Sequence, residues 1–150
     1  MNGDGVTLDE IDAVLLTALQ SDGRTTVAQL SKQVHMSASA VTERLRRLEE
    51  AGVITGYRAE VDPRALGYAL AAVIRIRPNA RQLPKVAQLA RDTPEIVECH
   101  RITGEDCYFM KLHVRSVEHL EEILDRFVIY GQTTTSIVQS SPVPRRALPV

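Results

Sequence analysis

The sequence predicts an α+β protein in which a small helical unit precedes a β-α-β-β-α-β unit. In the first fifty residues, apolar side chains recur every three or four positions, which is the spacing of helices buried on one face. From about residue 68, short alternating segments enclose two further helical stretches. Glycine and proline punctuate the chain between these segments, as expected of turns that separate short elements.

Composition limits the classes of function. The 150 residues are 44% hydrophobic and carry a net charge of −1, so any contact with nucleic acid requires a local positive cluster. Aromatic residues make up 4% and tryptophan is absent, which disfavours platforms that stack single-stranded bases. The two cysteines form no CxxC pair, and no apolar run approaches the roughly 20 residues of a membrane span. We therefore expect a cytoplasmic protein without metal or cofactor.

Three helices are predicted in the first unit. Thr7 and Glu10 have the spacing of a capping box ahead of the first helix, which ends at the turn 21–23. The second helix is expected at 27–34, with Thr26 as its N-cap. Ser37 caps a third helix that runs to about residue 50 and ends before a glycine. Two short helices joined by a tight turn match a helix-turn-helix.

The outer face of the third helix has the residue types that contact DNA. Arginine binds guanine edges in a bidentate manner, and hydroxyl groups contact bases or phosphates. Three arginines on one helix face more often form an ordinary solvated surface, and it is the ordered helix-turn-helix pattern that favours DNA. The predicted contact residues are Ser37, Ser39, Thr42, Glu43, Arg44, Arg46 and Arg47.

A short β-hairpin is predicted after the third helix. Residues 53–61 alternate apolar and polar around Gly56, so this segment would be the wing of a winged helix-turn-helix. Arg58 would contact a phosphate or would simply be exposed. The predicted domain thus comprises residues 1–61, and residues 62–67 form a linker.

Residues 68–142 predict a ferredoxin-like sandwich. Strands are expected at 68–77, 96–103, 107–114 and 133–140, with helices at 82–91 and after Ser116. Such a unit leaves one sheet face uncovered, and an uncovered apolar face in a small unit indicates a partner. We therefore expect dimerisation through the sheet and a loose tail at 143–150.

The motifs together resemble the leucine-responsive regulatory protein/AsnC (feast/famine) family of transcription regulators, over nearly the whole chain. The stretches that resemble the family are 22–24, 30–31, 43–49, 53–57, Gly67, and Gly104 with Tyr108. The resemblance implies dimers that assemble further into tetramers or octamers, and binding to double-stranded DNA through residues 27–47. It also implies that an amino acid or related effector binds between subunits, at Gly104, Glu105, Asp106, Cys107 and Tyr108 and at Thr133 and Thr135 of the last strand.

Cys107 departs from the family pattern, because many members have an aspartate there that can hold the amino group of the effector. A neutral thiol is a poor partner for an ammonium group. Asp106 is adjacent, but neighbouring strand residues point to opposite faces. The effector is therefore bound differently, is not a simple amino acid, or is absent.

The sequence thus favours a DNA-binding transcription regulator controlled by a small molecule, and not an enzyme. An architectural DNA-binding protein without a ligand is the first alternative. A tetrapyrrole-binding enzyme of similar two-domain arrangement is the second, although no nucleophile–base pair or carboxylate dyad is evident. His100 and His113 have no metal-ligand spacing with the cysteines, so we expect structural roles for both.

Overall fold

The computed structural model describes residues 7–150, which form two compact units. One unit comprises the residues up to Glu60 together with Val143–Val150, and the other comprises Val61–Pro142. The first six residues of the predicted DNA-binding domain, including the acidic N-terminus, lie outside the described residues. No helix in the described part of the chain has both the length and the apolar character to cross a membrane.

The described part of the first unit contains three helices, α1 (Glu10–Ser21), α2 (Val27–Val34) and α3 (Ala38–Glu50).

The starts of these helices follow local capping chemistry. α1 begins one residue after Asp9, whose side chain accepts the amide of Asp12 at 2.8 Å while the Asp12 side chain accepts the amide of Asp9. The predicted Thr7–Glu10 box is therefore wrong, because the same reciprocal bonds form two residues later. Thr26 caps α2 and Ser37 caps α3, as predicted.

α3 ends in a Schellman motif. The amides of Gly52 and Val53 donate to the carbonyls of Glu49 and Leu48, and Gly52 has a φ of +70°. The helices enclose a core that is built around the fully buried Leu15, Leu30 and Val41.

The segment after α3 contains no β-hairpin. Residues 53–62 include no strand, so the predicted wing hairpin is wrong. Alternating polarity is only a local signal, and the segment makes no cross-strand ladder that would turn it into a hairpin. The Tyr57 hydroxyl instead donates to the Glu49 carboxylate at 2.8 Å, and burial together with Glu49 raises the pKa of Tyr57 to about 12. The phenol therefore remains a donor that ties this segment to α3.

The second unit is a four-stranded antiparallel sheet with helices on one face. A 3-10 turn (Pro63–Leu66) precedes it, and the sheet order is β2-β3-β1-β4. Its strands are β1 (Leu70–Pro78), β2 (Ile96–Arg101), β3 (Tyr108–Val114) and β4 (Gly131–Ile137); its helices are α4 (Leu83–Arg91) and α5 (Val117–Val128). This is the predicted β-α-β-β-α-β order, with strand ends shifted by a few residues.

Alternation along the strands separates the two faces of this sheet. Tyr108, Met110 and Leu112 are buried beneath the helices, whereas Phe109 lies on the opposite face and is half-buried. The open face also has polar and charged residues, because the register places His100 opposite Phe109 and Glu98 opposite Lys111. The uncovered face is thus mixed rather than uniformly apolar.

The C-terminal segment, expected to be loose, is hydrogen-bonded to α1. The Gln20 side chain donates to the Leu148 carbonyl and accepts the Leu148 amide, both at 3.0 Å. This pairing of one amide side chain with one peptide unit joins the segment 143–150 to the first unit, to which it belongs. Periodicity cannot reveal such a contact, because the segment has no regular structure of its own.

Candidate DNA-binding face and effector site

The turn between α2 and α3 presents the N-terminal half of α3 to solvent. α2 ends at His35, whose left-handed φ of 52° reverses the chain, and the Met36 amide donates to the Ser31 carbonyl. Ser37 then caps α3 by accepting the Ala40 amide at 3.2 Å. A helix starts here with unpaired amides that point outward, which is the arrangement that binds a phosphate.

Hydroxyl groups dominate this exposed end. The Ser37 and Ser39 hydroxyl oxygens lie 3.1 Å apart, and the Thr42 hydroxyl donates to the Ala38 carbonyl at 2.8 Å. Because each oxygen keeps free lone pairs, these side chains can still accept hydrogen bonds from base amino groups. The structure thus brings Ser37, Ser39 and Thr42 together on one exposed face, as the sequence predicts.

Arg46 lies on the same exposed face between two carboxylates. Its guanidinium pairs with Glu43 one turn before it and with Glu50 one turn after it. Arg46 lowers the pKa of Glu43, and the two glutamates raise the pKa of Arg46. All three side chains are more than half exposed, so these pairs are screened by water and can be exchanged for a phosphate at little cost.

Arg44 and Arg47 point away from this face and pair with α1. Arg44 contacts Asp9 at 2.7 Å and Asp12 at 2.9 Å, and Arg47 pairs with the other oxygen of Asp12. The Asp12 side chain is fully buried, and that of Arg44 is only 23% exposed. The predicted set of DNA contacts is therefore divided between an exposed group and a group that connects α3 to α1.

Sequence reasoning missed the role of Asp12, an acid in the first turn of α1. The helical spacing of the sequence could have revealed this role, because Asp12 lies three residues before the buried Leu15 and hence on the inward-facing stripe of α1. An acid on an inward stripe requires a cationic partner. Exposed cations of the first unit that have no carboxylate in contact, within residues 7–150, include Arg24, Lys32 and Arg58.

The predicted effector residues of the Gly104 turn lie at one end of the sheet. Gly104 has a φ of +110° between β2 and β3, and the Cys107 amide donates to the Ile76 carbonyl at the end of β1. Ile76 pairs with Tyr108 on one side and with Thr133 on the other. The turn and the start of β4 are thus two strand spacings apart, about 10 Å.

Both carboxylates of this turn already have arginine partners. Arg77 donates to the carbonyl and the carboxylate of Glu105, each at 2.8 Å, and Arg75 lies 3.5 Å from Asp106. Cys107 packs against the helix-side core, whereas the Asp106 carboxylate is engaged by Arg75. Asp106 therefore does not replace the carboxylate that a cysteine at 107 lacks.

Tyr108, Thr133 and Thr135 lie on the helix side of the sheet. The register aligns Thr133 with Ile76 and Thr135 with the buried Ile74, and both threonines are half-buried. The Tyr108 hydroxyl donates to the Leu83 carbonyl at 3.3 Å, so this side chain is already engaged with the start of α4.

Comparison with known proteins agrees with both units. Residues 71–148 match the family model described as the Lrp/AsnC ligand binding domain, and residues 8–55 match a winged helix-turn-helix DNA-binding model. The HTH-type transcriptional regulator LrpA of Mycobacterium tuberculosis is 36% identical over 91% of this chain and 89% of its own length.

Solved structures of similar proteins have the same fold. LrpC of Bacillus subtilis superimposes with a TM-score of 0.88 at 29% identity, over 93% of this chain and 100% of that structure. A feast or famine regulatory protein of M. tuberculosis complexed with L-methionine gives a TM-score of 0.88 at 32% identity, over 96% of this chain and 100% of that one. The relatives are named as transcriptional regulators and not as enzymes. With an N-terminal helix-turn-helix, a four-stranded sheet covered by two helices and this similarity along its length, the chain belongs to the Lrp/AsnC family of HTH-type transcriptional regulators.

Proposed function

We propose that this chain binds double-stranded DNA sequence-specifically by inserting α3 into the major groove, and that a small-molecule effector controls this binding. The observation that carries the proposal is the exposed hydroxyl face at the start of α3 beside the exposed Arg46. Hydroxyls can read base edges, and Arg46 together with the free amides of the helix start can bind phosphates. The proposed DNA contacts are Ser37, Ser39, Thr42, Glu43 and Arg46, with Arg58 on a phosphate.

The proposed effector is an amino acid or related metabolite at the Gly104 end of the sheet. Support comes from the L-methionine complex of a similar protein and from the placement of Thr133 and Thr135 across β1 from Tyr108. Because Glu105 and Asp106 are both paired with arginines, neither offers a free carboxylate to an ammonium group. The ligand is therefore held through hydroxyl and backbone groups rather than through an acid at 107.

We also propose that the chain forms a cytoplasmic homodimer through the open sheet face, and that dimers assemble further into tetramers or octamers. Val73 and Phe109 supply apolar area on this face, and Glu98 and Lys111 supply charges of both signs. A self-complementary patch suits the two-fold contact of a homodimer.

DNA binding is tested by fluorescence anisotropy with a labelled duplex from the promoter region of the chain's own gene and with a random duplex of equal length. We expect tighter binding to the promoter duplex, and equal affinity for both would contradict sequence-specific recognition.

Effector binding is tested by measuring the thermal shift of the protein with each of the twenty amino acids. A ligand at a hundredfold excess over its Kd stabilises the folded state by about 2.7 kcal/mol.

The Cys107→Asp variant sharpens the effector test, with Cys107→Asn as a neutral control of similar size. An added carboxylate gives the ammonium group a charged partner, so Cys107→Asp should show a larger thermal shift with the same amino acids than Cys107→Asn. Equal shifts in the two variants would place the amino group of the ligand away from residue 107.

A ligand-independent architectural DNA-binding protein is a second candidate. It is favoured by the thiol at 107 together with the arginine partners of Glu105 and Asp106. DNA affinity that no amino acid changes, in a protein that shows no thermal shift, would select this candidate over the effector-controlled regulator.

A further inference from the structure

The carboxylate of Asp12 is the most deeply buried charge in the first unit, as far as the structure describes it. Its side chain has no exposed surface, although it is an acid near the start of a helix. A carboxylate removed from water requires charged partners and hydrogen-bond donors. Asp12 obtains them from α3, since one oxygen accepts from Arg44 and the other from Arg47.

Helix geometry distinguishes Arg47 from its neighbour Arg46. Successive residues of a helix point about 100° apart, so adjacent arginines cannot occupy the same face. Arg46 points to solvent and, among residues 7–150, pairs with the exposed Glu43 and Glu50. Arg47 points toward α1, yet its side chain is still 47% exposed and is therefore within reach of a phosphate if it is released.

The partner of Arg47 decides whether that release happens. An exposed pair such as Arg46 with Glu43 exchanges readily for a DNA phosphate, because water screens both charges. Removing Arg47 from Asp12 would leave a buried carboxylate with one cation in place of two, which is costly in a medium that water does not reach. Arg44 cannot compensate fully, because it also neutralises Asp9. The pair with the buried Asp12 carboxylate is therefore retained, while the pair in which both side chains are exposed is exchanged.

We propose that Asp12 is a positioning residue for DNA binding: it holds Arg47 against α1, away from the phosphates, and so limits the affinity of the protein for DNA of any sequence. This inference rests on the proposed role of α3 as the DNA-contacting helix. It assigns different roles to two adjacent arginines. When binding to random DNA is weak, the base contacts of α3 contribute a larger part of the total binding free energy, so the ratio of specific to non-specific affinity is higher.

The test is the salt dependence of binding to a random-sequence duplex, measured by fluorescence anisotropy between about 50 and 200 mM salt. Each arginine that contacts a phosphate contributes about −0.9 to the slope of log K against log salt. In Asp12→Asn, the released Arg47 should make the slope steeper by about 0.9 and should tighten binding at low salt. The double variant Asp12→Asn/Arg47→Ala should return to the wild-type slope.

Arg47→Ala in the otherwise unchanged protein tests the same inference without removing the buried acid. The salt slope of this variant should equal that of wild type, because Arg47 does not contact a phosphate in the wild-type protein.

Asp9→Asn is the matched control for Asp12→Asn, since asparagine also caps helices and Asp9 does not contact Arg47. It should leave the slope unchanged. A lower melting temperature in Asp12→Asn with an unchanged slope would show that Asp12 has a purely structural role.

Either of two results overturns the inference. One is an unchanged slope in folded Asp12→Asn, and the other is a shallower slope in Arg47→Ala, which would place Arg47 on a phosphate in the wild type. If Asp12→Asn does not fold, Arg47→Ala alone decides. Failure of the proposed function is distinct, because then the wild-type protein itself would show no salt-dependent binding to DNA.

Discussion

The arginines of α3 show how position and partner together determine what a side chain can do. Arg44, Arg46 and Arg47 carry the same charge within four residues, but only Arg46 lies on the outer face of the helix. Arg44 and Arg47 neutralise acids of α1 and so orient α3 against the rest of the first unit. A positive cluster in the sequence is thus divided by the fold into one group that can contact DNA and one that supports the helix.

Replacing Arg46 by alanine should weaken DNA binding and make its salt dependence shallower by about 0.9, because one phosphate contact is lost. The melting temperature should hardly change, since the side chain is 55% exposed and its partners are exposed too. Anisotropy titrations over a range of salt and a thermal melt measure the two effects. An unchanged salt slope would remove Arg46 from the contact set.

His113 should make the second unit sensitive to acid. Burial on the open sheet face, with Lys111 nearby, lowers the pKa of His113 below its ordinary value of 6.5. The unfolded chain therefore takes up a proton before the folded protein does, so the stabilisation is complete above pH 6.5 and is lost as pH falls below it. Wild type should lose more stability on acidification through this range than His113→Gln does, as measured by denaturant melts.

Lys111→Gln provides a second arm of the same experiment. Removing the positive charge should raise the pKa of His113 toward its ordinary value and reduce the loss of stability in acid. Equal acid sensitivity in wild type and both variants would show that His113 does not contribute.

At the scale of elements, close backbone approach determines where β4 can begin. Gly131 pairs with Pro78, and a Cβ atom at 131 would lie 2.2 Å from the Arg77 carbonyl oxygen and 2.6 Å from the Pro78 Cα. These neighbours are backbone atoms of β1, so they cannot rotate away as a side chain could. Thr133 and Thr135 of the candidate effector site follow on the same strand, and their placement depends on this contact.

Gly131→Ala should destabilise the second unit by about 1–3 kcal/mol, because β4 must move away from β1 to admit the methyl group. Gly23→Ala is the control, since a Cβ there meets nothing closer than the Leu19 carbonyl oxygen at 3.9 Å. Denaturant unfolding of both variants measures the difference. A nearly neutral Gly131→Ala would mean that the start of β4 tolerates a shift.

For the whole molecule, the open sheet face is the surface proposed for dimerisation. Phe109 is half-buried there beside His100, with ring centroids 6.5 Å apart. The opposite face of the sheet contributes the core with α4 and α5, so a change at Phe109 does not enter that core. Assembly can therefore be altered without unfolding the unit.

Phe109→Glu should shift the protein toward monomer, because two added carboxylates would face each other across a two-fold contact and the apolar area would be lost. Val128→Glu adds the same charge on an exposed position of α5 and should leave assembly unchanged. Analytical ultracentrifugation compares the two variants with wild type. If Phe109→Glu retains the wild-type mass, the open face is not the dimer contact.

The sequence alone determined the order and type of the elements, because their signals act over a few residues. Thr26, Ser37 and Gly52 have their predicted capping roles, and periodicity predicts each of the helices α1 to α5. The exposed hydroxyl group at 37, 39 and 42 follows from the same local pattern. The predicted hairpin at 53–61 is absent because alternation specifies a face but does not supply a partner strand.

Tertiary structure alone decided which charges meet. Asp12 lies 32 residues from Arg44 and 35 from Arg47, so their pairing exists only once α1 and α3 are packed together. In the same way, Gln20 and Leu148 are separated by 128 residues, and no local pattern relates them. Caps and turns are determined by hydrogen bonds to neighbouring backbone groups. The pairing of a buried carboxylate with arginines is instead determined by the exclusion of water around it. For this reason the role of each arginine in α3 became apparent only from the folded unit.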